Sequence, residues 1–185
     1  MRLKILEAAN RLIAHKSFHR VKVEEIASEA GIGKGTVYVY FPSKEKIFED
    51  LFKYATEKYI EMAKKATSGN ESCEDKLIIL AQNHGDFLAQ FESLDSYAFS
   101  TSNQGFQEMH LWFLEKKKEY LQIVEDILKD GVLKKEIRRI DTKLAARFFT
   151  GAFLFSLDPF LVNLRQEGEQ IAKDVVYLFL QGAEK

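Results

Sequence analysis

The apolar residues of this chain recur at helical spacing almost from end to end, and this periodicity constrains the fold more than any other feature. Val23, Ile26, Ala27 and Ala30 occupy positions i, i+3, i+4 and i+7, which form one stripe along a short helix. Similar stripes occur within residues 2–16, 47–66, 77–91, 106–127 and 169–180, and residues 143–157 are apolar on nearly every side. The chain contains only two prolines. The sequence therefore predicts an all-α protein of about nine helices.

The composition favours a folded protein and is compatible with a reducing compartment. Of its 185 residues, 46% are hydrophobic and 15 are Phe, so the chain can bury a core. The single cysteine, Cys73, cannot form an internal disulfide. No apolar run approaches the ~20 residues that cross a bilayer, and the charged, amphipathic N-terminus is unlike a signal peptide. We therefore expect a cytoplasmic protein with no membrane partner.

Residues 30–41, AGIGKGTVYVYF, are compatible with three local structures. A phosphate-binding glycine loop needs a buried strand before it and a different glycine spacing. The alternation of Thr, Val and Tyr suggests a strand, but a single strand in a helical chain has no partner for its backbone groups. The third interpretation is a helix-turn-helix, in which Gly31 forms the turn while Ile32 and Val37 pack inside. We favour this interpretation because the preceding segment is an amphipathic helix.

The outer face of the second helix has side chains suited to DNA. Lysine can bind phosphate or guanine, glycine permits close approach, threonine can contact a base edge, and tyrosine hydroxyls can bond phosphate. Residues 1–46 carry nine Lys and Arg against five Glu, although the whole chain has a net charge of -1. This asymmetry is expected if only the N-terminal quarter of the chain meets a polyanion, but an ordinary solvated surface would also account for it.

The segment VEEIASEAGIGKGTVYVYFPSKEKIFEDLF resembles the N-terminal signature of the TetR family of bacterial transcriptional regulators. The similarity lies in the Ile-Ala helix, the Ala-Gly-Ile turn, the Tyr-x-Tyr-Phe ending and the Ser-Lys-Glu that opens the next helix. It implies a three-helix DNA-binding head over residues 1–46. A long fourth helix would join this head to a helical effector-binding and dimerisation body over residues 47–185.

Carried over by position, the resemblance implies a set of DNA-binding residues. Lys34, Gly35 and Thr36 would face bases or the nearby backbone, and Tyr38, Tyr40 and Lys44 would hold phosphates. The family usually has Ser or Thr where this chain has Lys22 and Gly33. The Lys22 side chain and the Gly33 N–H remain available to phosphate. The predicted set is Lys22, Gly33, Lys34, Gly35, Thr36, Tyr38, Tyr40 and Lys44.

A single head contacts too few base pairs for specificity, so we expect a homodimer on a roughly palindromic operator. Residues 143–157 are apolar around the whole helix circumference, which is typical of a helix buried in a core or against a second subunit. The family resemblance favours the second alternative, with the last helix completing the interface. The predicted interface residues are Ala145, Phe149, Gly151, Ala152, Phe155, Val175 and Phe179.

The resemblance also implies a small effector that binds the body and releases the DNA, as in a repressor. The aromatic stripes of the body predict an effector that is largely apolar or aromatic, although such stripes often form only a core. His84 lies on one apolar stripe, where a buried imidazole needs a hydrogen-bond partner. The predicted effector-lining residues are His84, Phe87, Phe91, Phe113, Tyr120 and Phe148.

Two rival functions are an enzyme and a helical interaction protein whose head does not read DNA. The histidines show no metal-ligand spacing with Cys73 or with acidic residues, and no catalytic triad or paired-carboxylate motif occurs. Neither an enzyme nor a metal or cofactor is therefore predicted. Sequence-specific DNA binding would distinguish the regulator from both rivals.

Overall fold

The computed structural model describes residues 1–98, 105–156 and 163–181, except for the side chains of residues 88–98, 105–107, 154, 155 and 164–166. These ranges form eight α-helices and one short 3-10 helix, which confirms the predicted all-α class. The α-helices are α1 (Arg2–Ile13), α2 (Val23–Glu29), α3 (Lys34–Tyr40), α4 (Lys44–Ala66), α5 (Cys73–Ala98), α6 (Gly105–Leu133), α7 (Thr142–Ser156) and α8 (Leu164–Gln181). The 3-10 helix (Phe18–Arg20) lies between α1 and α2.

The chain forms two compact units. The first contains Met1–Glu57 and Gln90–Leu111, and the second contains Lys58–Ala89 and Trp112–Lys185. The division falls inside α4, whereas the sequence prediction placed the boundary at residue 46. None of the described helices is both long and apolar enough to span a membrane.

The first unit contains the helix-turn-helix. Its core includes Ile26, Val37 and Phe41, whose side chains are fully buried. Gly31 has a φ of 62°, the left-handed conformation that glycine adopts most easily, and it ends the preceding helix as predicted. The next amide, that of Ile32, donates a 3.0 Å hydrogen bond back to the carbonyl of Ala27. This turn brings α2 and α3 together.

The second unit has a core of its own, built from α5 to α8 and the end of α4. Leu80, Val124 and Phe153 are among its fully buried residues. A Cβ atom placed on Gly131 would lie 2.8 Å from the Cβ and Sγ of Cys73, so only glycine allows α5 and α6 to approach so closely there. Burial raises the pKa of the Cys73 thiol to about 12, which makes this cysteine a packing residue.

Candidate DNA-binding face and interior aromatic cluster

One side of α3 is buried and the rest of the helix is open to solvent. Val37 is fully buried, whereas Tyr38 is 46% exposed and Val39 is 80% exposed. Lys34 and Gly35 are exposed in the first turn of the same helix. Val39 was not among the predicted site residues, although a β-branched apolar residue so exposed on this helix suits contact with a thymine methyl group. We call the outer side of α3 the candidate DNA-binding face; it comprises Gly33, Lys34, Gly35, Thr36, Tyr38, Val39 and Tyr40.

The glycine at position 35 is not required by the protein itself. A Cβ atom there would have no neighbour within 4 Å, and the residue does not adopt a positive φ. Glycine in a helix is nevertheless less stable than alanine. The open space above Gly35 therefore leaves room for the close approach of another molecule. Gly33 precedes α3 as its N-cap residue and supplies no side-chain cap.

Acidic residues of α2 pair with basic side chains of the first unit. The Nζ of Lys34 lies 2.5 Å from the carboxylate of Glu24, which raises the pKa of Lys34 and lowers that of Glu24. Lys16 forms a comparable pair with Glu25. Lys22, in contrast, makes no ion pair with any described residue. An exposed ion pair contributes little to stability, so Lys34 can exchange its carboxylate for a phosphate at small cost.

Lys44 lies in a different environment from the one predicted. Its Nζ donates hydrogen bonds to the carbonyl oxygens of Phe18 and Val21, both at 3.1 Å, and lies 4.4 Å from the centre of the Phe18 ring. The side chain is partly buried. It therefore holds the 3-10 segment between α1 and α2. A phosphate contact of the Lys44 side chain would compete with these bonds.

Aromatic residues from four helices meet inside the second unit. The Nδ1 atom of His84 lies 3.0 Å from the hydroxyl of Tyr59, and the His84 ring lies 4.8 Å from that of Phe153. The Tyr59 ring stacks on Tyr120 at 5.0 Å and contacts Phe87 at 4.8 Å. We call His84, Tyr59, Tyr120, Phe87 and Phe153 the aromatic cluster. It contains three predicted effector-lining residues, together with Tyr59 and Phe153, which the sequence analysis missed.

The remaining predicted effector-lining residues are not placed in this cluster. Phe148 is 66% exposed on the outer side of α7, and Phe113 is 37% exposed. Phe91 lies outside the described side chains. The phase of α7 directs the Phe148 side chain away from the core of the second unit, and its effector contact stays a prediction.

The predicted dimer residues occupy two different sides of α7 and α8. Phe149 is fully buried and packs on Phe153 and Phe179, each at 5.1 Å between ring centres, so it belongs to the subunit core rather than to an outer face. Successive helical residues lie about 100° apart, which explains why Phe148 and Phe149 have opposite environments. Partly buried positions of the predicted set are Ala145, Gly151, Ala152, Val175 and Phe179. The side chain of Phe155 lies outside the described set.

Apolar side chains are nevertheless exposed on the outer sides of α7 and α8. They include Leu144, Phe148, Tyr177 and Leu178, all more than half exposed. A shallow groove next to them is lined mainly by apolar residues, among them Leu144, Phe148 and Phe179. A Cβ atom on Gly151 would have no neighbour within 4 Å. We call the outer sides of these two helices the α7–α8 face.

A helix-turn-helix with an open outer face, followed by a helical unit with an interior aromatic cluster, is an arrangement typical of DNA-binding regulators. The family model for bacterial regulatory proteins of the tetR family matches residues 5–51, and the model for the YsiA-like C-terminal region matches residues 52–168. The chain therefore belongs to the TetR family, and it is a DNA-binding transcriptional regulator.

Several relatives share most of their length with this chain. The fatty acid metabolism regulator protein of Bacillus subtilis is 29% identical over 87% of this chain and 84% of its own. The crystal structure of FadR from Bacillus subtilis in complex with stearoyl-CoA aligns over 100% of both chains, with a TM-score of 0.76 and 26% identity. The fatty acid degradation regulator FadR from Bacillus halodurans aligns over 97% of this chain and 94% of its own, with a TM-score of 0.72 and 26% identity.

Proposed function

We propose that this protein is a homodimeric repressor that acts in the cytoplasm and leaves its operator when a long-chain acyl-CoA binds the second unit. The claim that the protein binds DNA rests on α3. This helix buries Val37 on one side and exposes the other side, where the space above Gly35 is open. The effector class is taken from the relative whose structure contains stearoyl-CoA. An interior rich in aromatic side chains suits an acyl chain.

On the candidate DNA-binding face, we assign base contacts to Thr36 and Val39, because a methyl group on each can meet the thymine methyl in the major groove. Tyr38 and Tyr40 bind phosphate oxygens through their hydroxyls. When DNA binds, Lys34 breaks its ion pair with Glu24 and pairs with a phosphate instead. The Lys22 side chain and the Gly33 N–H supply further phosphate contacts, while Lys44 acts indirectly by holding the 3-10 segment.

The α7–α8 face is the proposed dimer interface. Leu144, Phe148 and Leu178 together expose an apolar surface of the kind that subunit interfaces cover. The open space at Gly151 allows a partner helix to approach closely. A two-fold interface presents two heads, which explains why the operator is expected to be palindromic.

The effector regulates DNA binding by a shift in population. An acyl-CoA can release the operator only if it binds more tightly to a conformation in which the two heads no longer match the DNA. Tyr59 and Lys44 both lie on α4, so this helix carries a residue of the aromatic cluster and a residue that supports the DNA-binding unit.

A mobility-shift assay with DNA flanking the gene of this protein tests the proposal. We expect tighter binding to one palindromic site than to scrambled DNA, a steep decrease with salt, and release by stearoyl-CoA but not by coenzyme A without an acyl chain. Equal affinity for all sequences would refute the regulator assignment. Specific binding that stearoyl-CoA leaves unchanged would refute the proposed effector alone.

A further inference from the structure

A carboxylate lies at the edge of the candidate DNA-binding face. The Oε1 atom of Glu24, on α2, lies 2.5 Å from the Nζ atom of Lys34, the first residue of α3. The same Nζ atom lies 5.8 Å from the centre of the Tyr38 ring, one turn further along α3. Lys34 and Tyr38 are two of the residues to which we assign phosphate contacts. A negative charge therefore lies beside the part of the protein that is proposed to meet a polyanion.

The two groups of this ion pair are charged near pH 7 and remain in contact with solvent. The hydrogen bond from Lys34 lowers the pKa of Glu24, and the same hydrogen bond raises the pKa of Lys34. The side chain of Lys34 is 50% exposed and that of Glu24 is 57% exposed. An exposed ion pair of this kind is weak and is screened by salt. It can therefore open when a phosphate competes for the lysine.

We propose that Glu24 competes with the DNA phosphate for Lys34 and thereby limits the affinity of the protein for DNA, an inference that rests on the phosphate contact proposed for Lys34. A lysine has three donors, but two anions held by one ammonium group repel each other. The ion pair must therefore break when DNA binds, and the released carboxylate stays close to the incoming phosphate. The loss of the pair and the repulsion between like charges both oppose binding.

A limited affinity for DNA suits a repressor that must leave its operator. An effector shifts the equilibrium only by the difference between its affinities for the two conformations. Each decrease in the affinity for DNA reduces the difference that the effector must supply. Glu24 thus sets the balance between occupancy of the operator and release from it.

A double-mutant cycle tests whether Glu24 acts through Lys34. It compares the wild type, Glu24→Gln, Lys34→Met and the double variant, since glutamine has nearly the shape of glutamate without its charge. Glu29→Gln is the matched control, because Glu29 lies on the same helix and pairs at 2.6 Å with Arg11, which has no assigned DNA contact. Fluorescence anisotropy measures binding to the palindromic site and to scrambled DNA between about 50 and 200 mM salt. Thermal denaturation checks that each variant is folded.

We expect Glu24→Gln to bind both DNA duplexes about three- to five-fold more tightly than the wild type at the lowest salt concentration. The gain should shrink as salt rises, because salt screens both the ion pair and the repulsion. In the Lys34→Met background the same substitution should give a smaller gain, since the carboxylate then has no lysine to withhold from the phosphate. Glu29→Gln should change both affinities by less than about two-fold.

Equal gains from Glu24→Gln with and without Lys34 would show that the carboxylate acts through its charge alone, and would overturn the inference while the Lys34 contact stands. An equal gain in Glu29→Gln would also overturn it. Weaker binding by Glu24→Gln would show that the carboxylate positions Lys34 for DNA, which is the opposite role. If Lys34→Met had no effect in the Glu24→Gln background, the proposed phosphate contact would be refuted as well.

Discussion

Replacement of Gly35 by alanine should stabilise the protein and weaken its binding to DNA. The added Cβ has no neighbour within 4 Å in the free protein, and the backbone is already in a conformation that alanine accepts. Alanine is favoured over glycine within a helix by about 0.5–1 kcal/mol. Because Gly35 lies in the first turn of the seven-residue α3, we expect the lower value, about 0.5 kcal/mol. The melting temperature should then rise by about 1–2 °C.

The same methyl group would occupy the space that the DNA enters in the proposed complex. Loss of one close backbone approach should weaken operator binding by at least about ten-fold, equivalent to about 1.4 kcal/mol. Thermal denaturation and fluorescence anisotropy with labelled operator measure the two effects. Since the variant is more stable, unfolding cannot explain weaker binding. Unchanged affinity in the stabilised variant would refute the assignment of Gly35 to the DNA contact.

Gly151→Ala is the matched control for Gly35→Ala. This glycine also lies in a helix, and an added Cβ there would meet no neighbour within 4 Å. On the α7–α8 face the methyl group should weaken dimerisation, measured by analytical ultracentrifugation. At protein concentrations high enough to restore the dimer, operator affinity should equal that of the wild type. A monomeric wild type at micromolar concentration would contradict the proposed interface.

Further predictions concern the first unit and the end of α6. Tyr38→Ala should weaken binding to all DNA sequences equally, whereas Thr36→Ala should change the preference among operator variants; equal losses for both would refute these roles. Lys44→Met should destabilise the protein by about 2–3 kcal/mol, because the carbonyls of Phe18, His19 and Val21 lose their donor, and should leave the salt dependence of DNA binding unchanged in the folded variant. A slope reduced by about 0.9 would instead indicate a direct phosphate contact. Gly31→Ala should cost about 1–2 kcal/mol in unfolding experiments, since a side chain at φ 62° is strained. Lys135 has the same φ of 62°, so Lys135→Gly should stabilise the protein by up to about 1 kcal/mol; destabilisation would contradict this.

Features that depend on local sequence were predictable. Gly31 ends a helix because few other residues adopt its φ, and Ser43 caps α4 through a 3.2 Å bond from the Lys46 amide to its hydroxyl. Both positions follow from the chemistry of one or two neighbouring residues. The exposed and buried sides of α3 followed from the same kind of pattern, anchored by Val37.

Features that depend on distant contacts were not predictable. Lys44 bonds carbonyl oxygens more than twenty residues away, and backbone carbonyls leave no signature in a sequence. The bond between Tyr59 and His84 likewise joins two helices. The opposite environments of Phe148 and Phe149 were missed because residues 143–157 are apolar on nearly every side. Such a segment gives no information about which side faces the core.

The reciprocal coupling between DNA and effector tests the account most directly. Operator affinity is measured by anisotropy with and without saturating stearoyl-CoA, and stearoyl-CoA affinity by calorimetry with and without saturating operator. We predict that each ligand weakens the binding of the other by the same factor, about 5–150-fold, because both act on one conformational equilibrium. Stearoyl-CoA that binds the free and the operator-bound protein with equal affinity would contradict the account.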